Sequence, residues 1–163
     1  MEKNRLLYSI NRFDHYFESI NNKTAVYIAL NTFILGGIIT GYITVQDYIL
    51  KYDNCFNVLL SIEMIIGILT LVLLIYASIP YFSKDSKSLY YFGSIGSQSK
   101  KDFIEYSKNI DTKQELKDLR NQVYTLSIGL NKKFVRLKIA GKLIVLQFIL
   151  LIPLIIILLI NKF

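Results

Sequence analysis

Three apolar runs decide most of what this chain can fold into. Residues 24–45 (TAVYIALNTFILGGIITGYITV), 58–79 (VLLSIEMIIGILTLVLLIYASI) and 143–160 (LIVLQFILLIPLIIILLI) carry one acid, Glu63, and no base. As helices, all three are long enough to cross a hydrocarbon core of roughly 30 Å, which takes about 20 residues. A helix buried in a water-soluble core has no need of such length without charge. The wider composition agrees, with 53% of residues apolar and 19% charged. The expected fold class is an all-α membrane protein with three transmembrane helices, read as one domain spanning residues 1–163. The first two dozen residues are polar, so no cleavable signal peptide is visible and the first span is expected to insert as its own anchor. Cys55, the one cysteine, cannot build an internal disulfide framework or a thiolate metal site, and is read as a reduced thiol in preference to half of an intersubunit disulfide.

Lys and Arg near span ends set orientation. Residues 1–23 carry four basic and three acidic side chains, and residues 46–57 carry Lys51 against Asp47 and Asp53. Residues 80–142 carry thirteen basic and six acidic, a surplus of 13 − 6 = +7, while only Lys162 follows the third span. The N-terminus and the 80–142 segment are therefore expected to face the cytoplasm. Tyr42, Tyr48 and Tyr52 near the outer face, and Tyr27, Tyr76 and Tyr81 near the inner one, suit interfacial positions. The basic surplus follows from topology first. It also offers a field to an anionic partner, a phospholipid headgroup or a nucleotide rather than a nucleic-acid polymer.

Ahead of the first span, Leu6, Ile10, Phe13, Phe17 and Ile20 recur at a 4-3-4-3 spacing, one face of an amphipathic helix over residues 1–23 that runs straight into the membrane. Leu116, Leu119, Val123, Leu126, Leu130, Phe134 and Leu137 do the same before the third span. Thr112 with Glu115 reads as a capping box, and Asp111 favours the positive end of the helix dipole. The stalk and third span are expected to form one helix of about 70 Å, at 1.5 Å per residue. Because the first and third spans run in the same direction, the N-terminal helix and the stalk should emerge parallel and pack on each other or on a second subunit.

Between the second span and the stalk lies SLYYFGSIGSQSK, residues 88–100. Ser99, followed by Lys100, Lys101 and Asp102, reads as the N-cap of a short helix. Its exposed N–H groups, with Ser94, Ser97, Ser99 and the two lysines, make an arrangement suited to one phosphate. Tyr90, Tyr91 or Phe92 can stack on a base, and Gly93 and Gly96 admit close backbone approach. No Gly-Lys-Ser or Gly-Lys-Thr follows, so this is not a nucleoside-triphosphate loop. A Tyr-Tyr-Phe run beside a membrane serves equally as an interfacial anchor.

Inside the spans, Gly36, Gly37 and Gly41 form a small-residue face on the first. Glu63, Asn31 and Gln147 are the polar groups at depth, expected to hydrogen bond between packed helices, with a water path lined by Glu63 as the alternative. Pro153 kinks the third span or leaves one carbonyl without its donor. His15 is the lone histidine, and no spacing of Ser, Cys or carboxylates proposes a nucleophile with its base or a metal ligand set, so neither enzyme chemistry nor a cofactor is expected.

The order of these elements resembles the transmembrane effectors of the Pycsar anti-phage system over nearly the whole chain. INNKTAVYIALN is similar to that family's entrance to the first span, with Asn21 and Thr24 where its pattern has Asp and Ala. YYFGSIGS is similar to its aromatic-aromatic-Gly motif after the second span, and ELKDLRNQVYTLSIGLNKKFVRLKIA to its stalk. The resemblance implies an effector that senses a cyclic pyrimidine mononucleotide, cyclic CMP or cyclic UMP, made by a partner cyclase on infection. It then damages the inner membrane, causing abortive infection. It also implies a ligand or switch region at Tyr91, Phe92, Gly93, Ser94 and Gly96 with Gln122, Lys133 and Phe134, to which Ser99, Lys100 and Lys101 add the phosphate end. The expected assembly is a homo-oligomer. Two other classes fit the same residues: a ligand-independent holin-like pore former, and a membrane scaffold whose stalk docks a partner protein.

Overall fold

The computed structural model describes residues 1–45, 54–80 and 88–162. Asp47, Tyr48, Lys51, Tyr52, Asp53 and Tyr81 of the charge and aromatic pattern lie outside the described residues. Among the described residues five helices follow in order: α1 Glu2–Val45, α2 Asn54–Ser78, α3 Phe92–Gly96, α4 Lys100–Asn109 and α5 Thr112–Lys162. The described residues contain no strand, and α1, α2 and α5 are each long and apolar enough to cross a membrane. The fold is the expected all-α membrane class. No Pro or Gly interrupts α1 before Gly36, so the amphipathic helix and the first span are one rod. Likewise α5 continues through Pro153, whose missing N–H leaves the Ile149 carbonyl without its intrahelical donor.

The chain forms two compact units, Met1–Ser19 with Ile79–Lys132, and Ile20–Ser78 with Lys133–Phe163. The division on α5 falls at Lys133, ahead of the span expected to begin at residue 143.

In the first unit, Leu6, Ile10, Phe13 and Phe17 are half-buried while their neighbours on the other face of α1 are exposed. On α5, Leu119 is completely buried and Leu130 nearly so. Burying one leucine contributes about 2 kcal/mol, so these few positions outweigh the surface contacts around them. Two ion pairs join the start of α1 to the start of α5: Lys3 Nζ to Glu115 Oε1 at 2.7 Å, and Arg120 to Glu2 with Nε and Nη2 both at 2.9 Å. Both pairings place the first turn of α1 beside the first turns of α5.

Two details of the stripe differ from the sequence pattern. Phe134 is 40% exposed, whereas Lys133 beside it is buried. A helix of 3.6 residues per turn drifts from a fixed 3-4 repeat, and over five turns the drift moves Phe134 off the inner face. The helix cap is Asp111, not Thr112: its carboxylate accepts from the Gln114 N–H at 2.6 Å, which frees Glu115 for Lys3.

These ion pairs predict an acid response. The Arg120 side chain holds the Glu2 carboxyl below the usual carboxylate range, and the Lys3 and Tyr90 hydrogen bonds do the same for Glu115. A depressed folded-state value means the contribution is complete above the ordinary pKa of 4.5 and is lost as pH falls through the folded value. Protection against hydrogen exchange, taken relative to the unstructured rate at each pH, is therefore expected to fall in residues 1–19 and 112–120 below about pH 4.5 in detergent and to stay level through neutral and mildly alkaline solutions.

The second unit packs parts of α1, α2 and α5 by their buried faces. Those are Ile20, Thr24, Asn31 and Ile34 on α1, and Phe56, Glu63, Gly67, Thr70, Leu74 and Ala77 on α2. On α5 they are Leu137, Ala140, Ile144, Gln147 and Leu154. The 3-4 spacings are those of left-handed helix packing. Close approach comes from glycines the pattern had not singled out. A Cβ on Gly67 would strike the Leu35 side chain, and one on Gly141 would lie 3.2 Å from the Tyr27 ring. Tyr27 is half-buried, its ring lying against Gly141. A Cβ on Gly36, Gly37 or Gly41 would meet nothing within 4 Å among the described residues, which leaves that small-residue face open there.

Candidate functional site

The aromatic turn is built on the stalk by one polar face of α5. Glu115, Asp118 and Gln122 recur at intervals of three and four and so share a side of the helix. Asp118 accepts the Leu89 N–H at 2.8 Å, and Gln122 Nε2 donates to the Ser88 hydroxyl at 3.0 Å. That hydroxyl also accepts the Tyr90 N–H at 3.1 Å, with Ser88 itself fully buried. The Tyr90 hydroxyl donates to Glu115 Oε1 at 2.8 Å. Burial, helped by the Glu115 carboxylate, pushes the Tyr90 phenol up to about 12, so it stays a neutral donor at physiological pH.

Beyond this clamp the Gly/Ser stretch is not an open loop. Tyr91 is extended, and residues 92–96 close into the helical turn α3, with Ile95 N donating to Tyr91 O and Ser97 N to Gly93 O at 3.1 and 3.2 Å. No described glycine has positive φ. Gly93 is instead required by space, because a Cβ there would lie 2.6–2.7 Å from the Tyr91 ring. The Tyr91 and Phe92 rings meet at 5.1 Å between centroids and 58° between planes. Phe92 is 70% exposed at the head of the turn. Ser94 is buried, and Gly96 is exposed with open space around it.

Ser99 is the cap of α4: its hydroxyl accepts the Asp102 N–H at 3.2 Å and donates to Asp102 Oδ2 at 2.7 Å. The positive end of α4 is thus already met by a carboxylate, which leaves less for a phosphate than the sequence suggested. Lys100, Lys101 and Lys108 are exposed and share an open groove with Ile104 and Glu105.

Of the expected site residues, Tyr91, Phe92, Gly93, Ser94 and Gly96 share one turn, and Gln122 holds it. Lys133 belongs to the second unit and has a different task. Its Nζ donates to Ser78 O at 3.4 Å, and Arg136 Nη1 donates to Tyr76 O at 2.9 Å. The last turn of α2 contains no base of its own, so α5 supplies the cations that its terminal carbonyls favour. Burial, with the Arg136 charge adding, pushes the Lys133 ammonium below the usual lysine range. Ser88 and Asp118, which hold the turn, were not singled out by the sequence pattern. The signal was present in the polar positions 115, 118 and 122 beside the apolar stripe.

Removing the Asp118 carboxylate should release the turn. Asp118→Ala leaves the Leu89 N–H without its acceptor, a loss of about 1–3 kcal/mol. The expected result is roughly ten- to hundredfold faster amide exchange at Leu89, with Asp118→Asn, which keeps an acceptor oxygen, much closer to the parent.

A second polar group lies within the spans. Asn31 Nδ2 donates to Gly67 O at 2.9 Å, and Gln147 Nε2 to Thr70 Oγ1 at 3.5 Å. Glu63 does not join the interhelical bonds expected of it: it is fully buried and neither carboxyl oxygen has a hydrogen-bond partner. Asn31 Oδ1, Gln147 Oε1 and Thr24 Oγ1 are likewise buried without one. Insertion scales put an acid at mid-bilayer at about 3 kcal/mol, so its retention here is costly.

Compared with known proteins, the chain matches a family model described as the Pycsar effector protein domain over residues 5–160. No curated protein and no solved structure matches it.

Proposed function

Because the chain belongs to the Pycsar effector family, we propose that it senses 3′,5′-cyclic CMP or cyclic UMP and impairs the bacterial inner membrane, causing abortive infection. The observation that carries this is Phe92, 70% exposed on a turn clamped to the stalk through Asp118 and Gln122. An exposed phenyl face offers a stacking surface, and a pyrimidine is a flat partner of suitable size. Tyr91 backs the ring, and Lys100 and Lys101 on the next helix supply charge for the cyclic phosphate.

The charge distribution supports a cytoplasmic N-terminus and a cytoplasmic 80–142 segment, where such a messenger is made. Displacing the turn moves its clamp on α5, and α5 is unbroken from Thr112 to Lys162. A nucleotide that prefers the membrane-breaching arrangement a hundredfold biases it by about 2.7 kcal/mol, enough for a marginal helix interface. The glycine face of α1, open among the described residues, is where a second copy would pack in a homo-oligomer.

Titration calorimetry of the detergent-purified protein with a panel of cyclic mono- and dinucleotides tests the sensing, and dye release from liposomes tests the damage. Saturable binding of a cyclic pyrimidine nucleotide, with release only in its presence, is the expected result. Equal release without nucleotide would assign a holin-like pore former instead, and no release under any condition a scaffold.

A further inference from the structure

We propose that the water path this protein opens is lined by Glu63, Asn31, Thr70 and Gln147, and that Glu63 makes it pass small cations in preference to anions. The proposal rests on the membrane-impairing function above and specifies the route and what travels along it.

Water inside a bilayer needs a polar wall. Across residues 24–45, 58–79 and 143–160, Glu63 is the sole Asp, Glu, Lys or Arg. The outward surfaces of these helices present Phe33, Ile65, Leu69, Ile75, Val145 and Ile152. Hydroxyls do occur there, at Thr32, Thr40, Thr44 and Ser61, and those of Thr44 and Ser61 are bonded to carbonyls of their own helices, Thr40 O and Asn57 O. The face that carries the carboxylate and the side-chain amides is the inner one, and on α2 it aligns Glu63, Gly67 and Thr70 within about two turns, roughly 10 Å of helix rise.

The chemistry of that face is one-sided. The side-chain N–H groups of Asn31 and Gln147 are committed to Gly67 O and Thr70 Oγ1. What remains unpartnered is oxygen: Asn31 Oδ1, Gln147 Oε1, Thr24 Oγ1 and both oxygens of Glu63, all buried. Carbonyl and carboxylate oxygens without donors are the lining by which pores replace the hydration of cations and repel anions. The packed bundle leaves them unsatisfied, so their wetting favours any rearrangement that admits water. One heptad before Glu63, Phe56 packs with Leu154 into an apolar cluster that closes this face while the helices stay together. Such constrictions shut by excluding water.

The test uses the full chain in planar bilayers of phosphatidylethanolamine and phosphatidylglycerol under a tenfold KCl gradient, with cyclic CMP and cyclic UMP added in turn. The expected current reverses near the potassium equilibrium value, which for a perfectly selective monovalent conductor is about 59 mV per tenfold ratio. Glu63→Gln, close in shape, is expected to conduct under the same nucleotide with reversal near zero, and Glu63→Asp to keep the displacement. A wild-type current that reverses at zero or on the chloride side overturns the selective path and leaves membrane impairment standing. Unchanged reversal in Glu63→Gln overturns the role of Glu63. No current with either nucleotide overturns both the path and the function it rests on. The wild-type reversal decides the matter even if the variants fail to insert.

Discussion

Gly67→Val is expected to make the protein leak without any nucleotide. A Cβ at this position already strikes the Leu35 side chain, and Gln147 Nε2 lies 3.4 Å away. Alanine can be admitted if the end of Leu35 swings aside, but a branched side chain forces α1 and α2 apart, at about 1–3 kcal/mol for overpacking of this kind. Separation also stretches the 2.9 Å bond from Asn31 to the Gly67 carbonyl. The expected order in thermal unfolding in detergent is Gly above Ala above Val, with dye release from empty liposomes rising in the reverse order. A valine variant as stable and as tight as the parent would mean that this contact does not hold the resting packing.

Phe92→Ala is expected to abolish nucleotide-dependent release while leaving insertion and helix content intact. At 70% exposure the ring contributes little to folding, so stability should move by no more than about 0.5 kcal/mol. Stacking of a base on an aromatic side chain is worth about 1–3 kcal/mol, so the loss in affinity should be between five- and 150-fold. Phe92→Tyr preserves a face for stacking and should recover most of the response. Normal release from the alanine variant would take the aromatic turn out of the mechanism.

The long helices were legible because their signals are local and repeated: apolar length for the spans, 3-4 spacing for α1 and α5, and a serine before charged residues for α4. That the starts of α1 and α5 meet within one chain also followed, since each carries an apolar stripe that needs cover. What could not be read depended on contacts across the chain. Lys133 carries no local mark of being the cation for the end of α2, because its partner is the Ser78 carbonyl, 55 residues earlier. Gly93 suggested freedom of backbone, yet the residue is needed for the space taken by the Tyr91 ring. The same holds for Glu63. Its position marked it as unusual, but only the packed helices reveal that its neighbours spend their donors elsewhere.

The order in which the bonds of the second unit can close has a bearing on biogenesis. Asn31 finds its carbonyl 36 residues later, so the first helical hairpin can form as soon as both of its arms have left the ribosome. The end of the second arm must wait for Lys133 and Arg136, 55 and 60 residues further on, before its last carbonyls are met. A nascent chain stalled between these points has a hairpin whose second arm ends in carbonyls that still lack these donors. Emergence of the segment just ahead of the third span is then what completes the second arm.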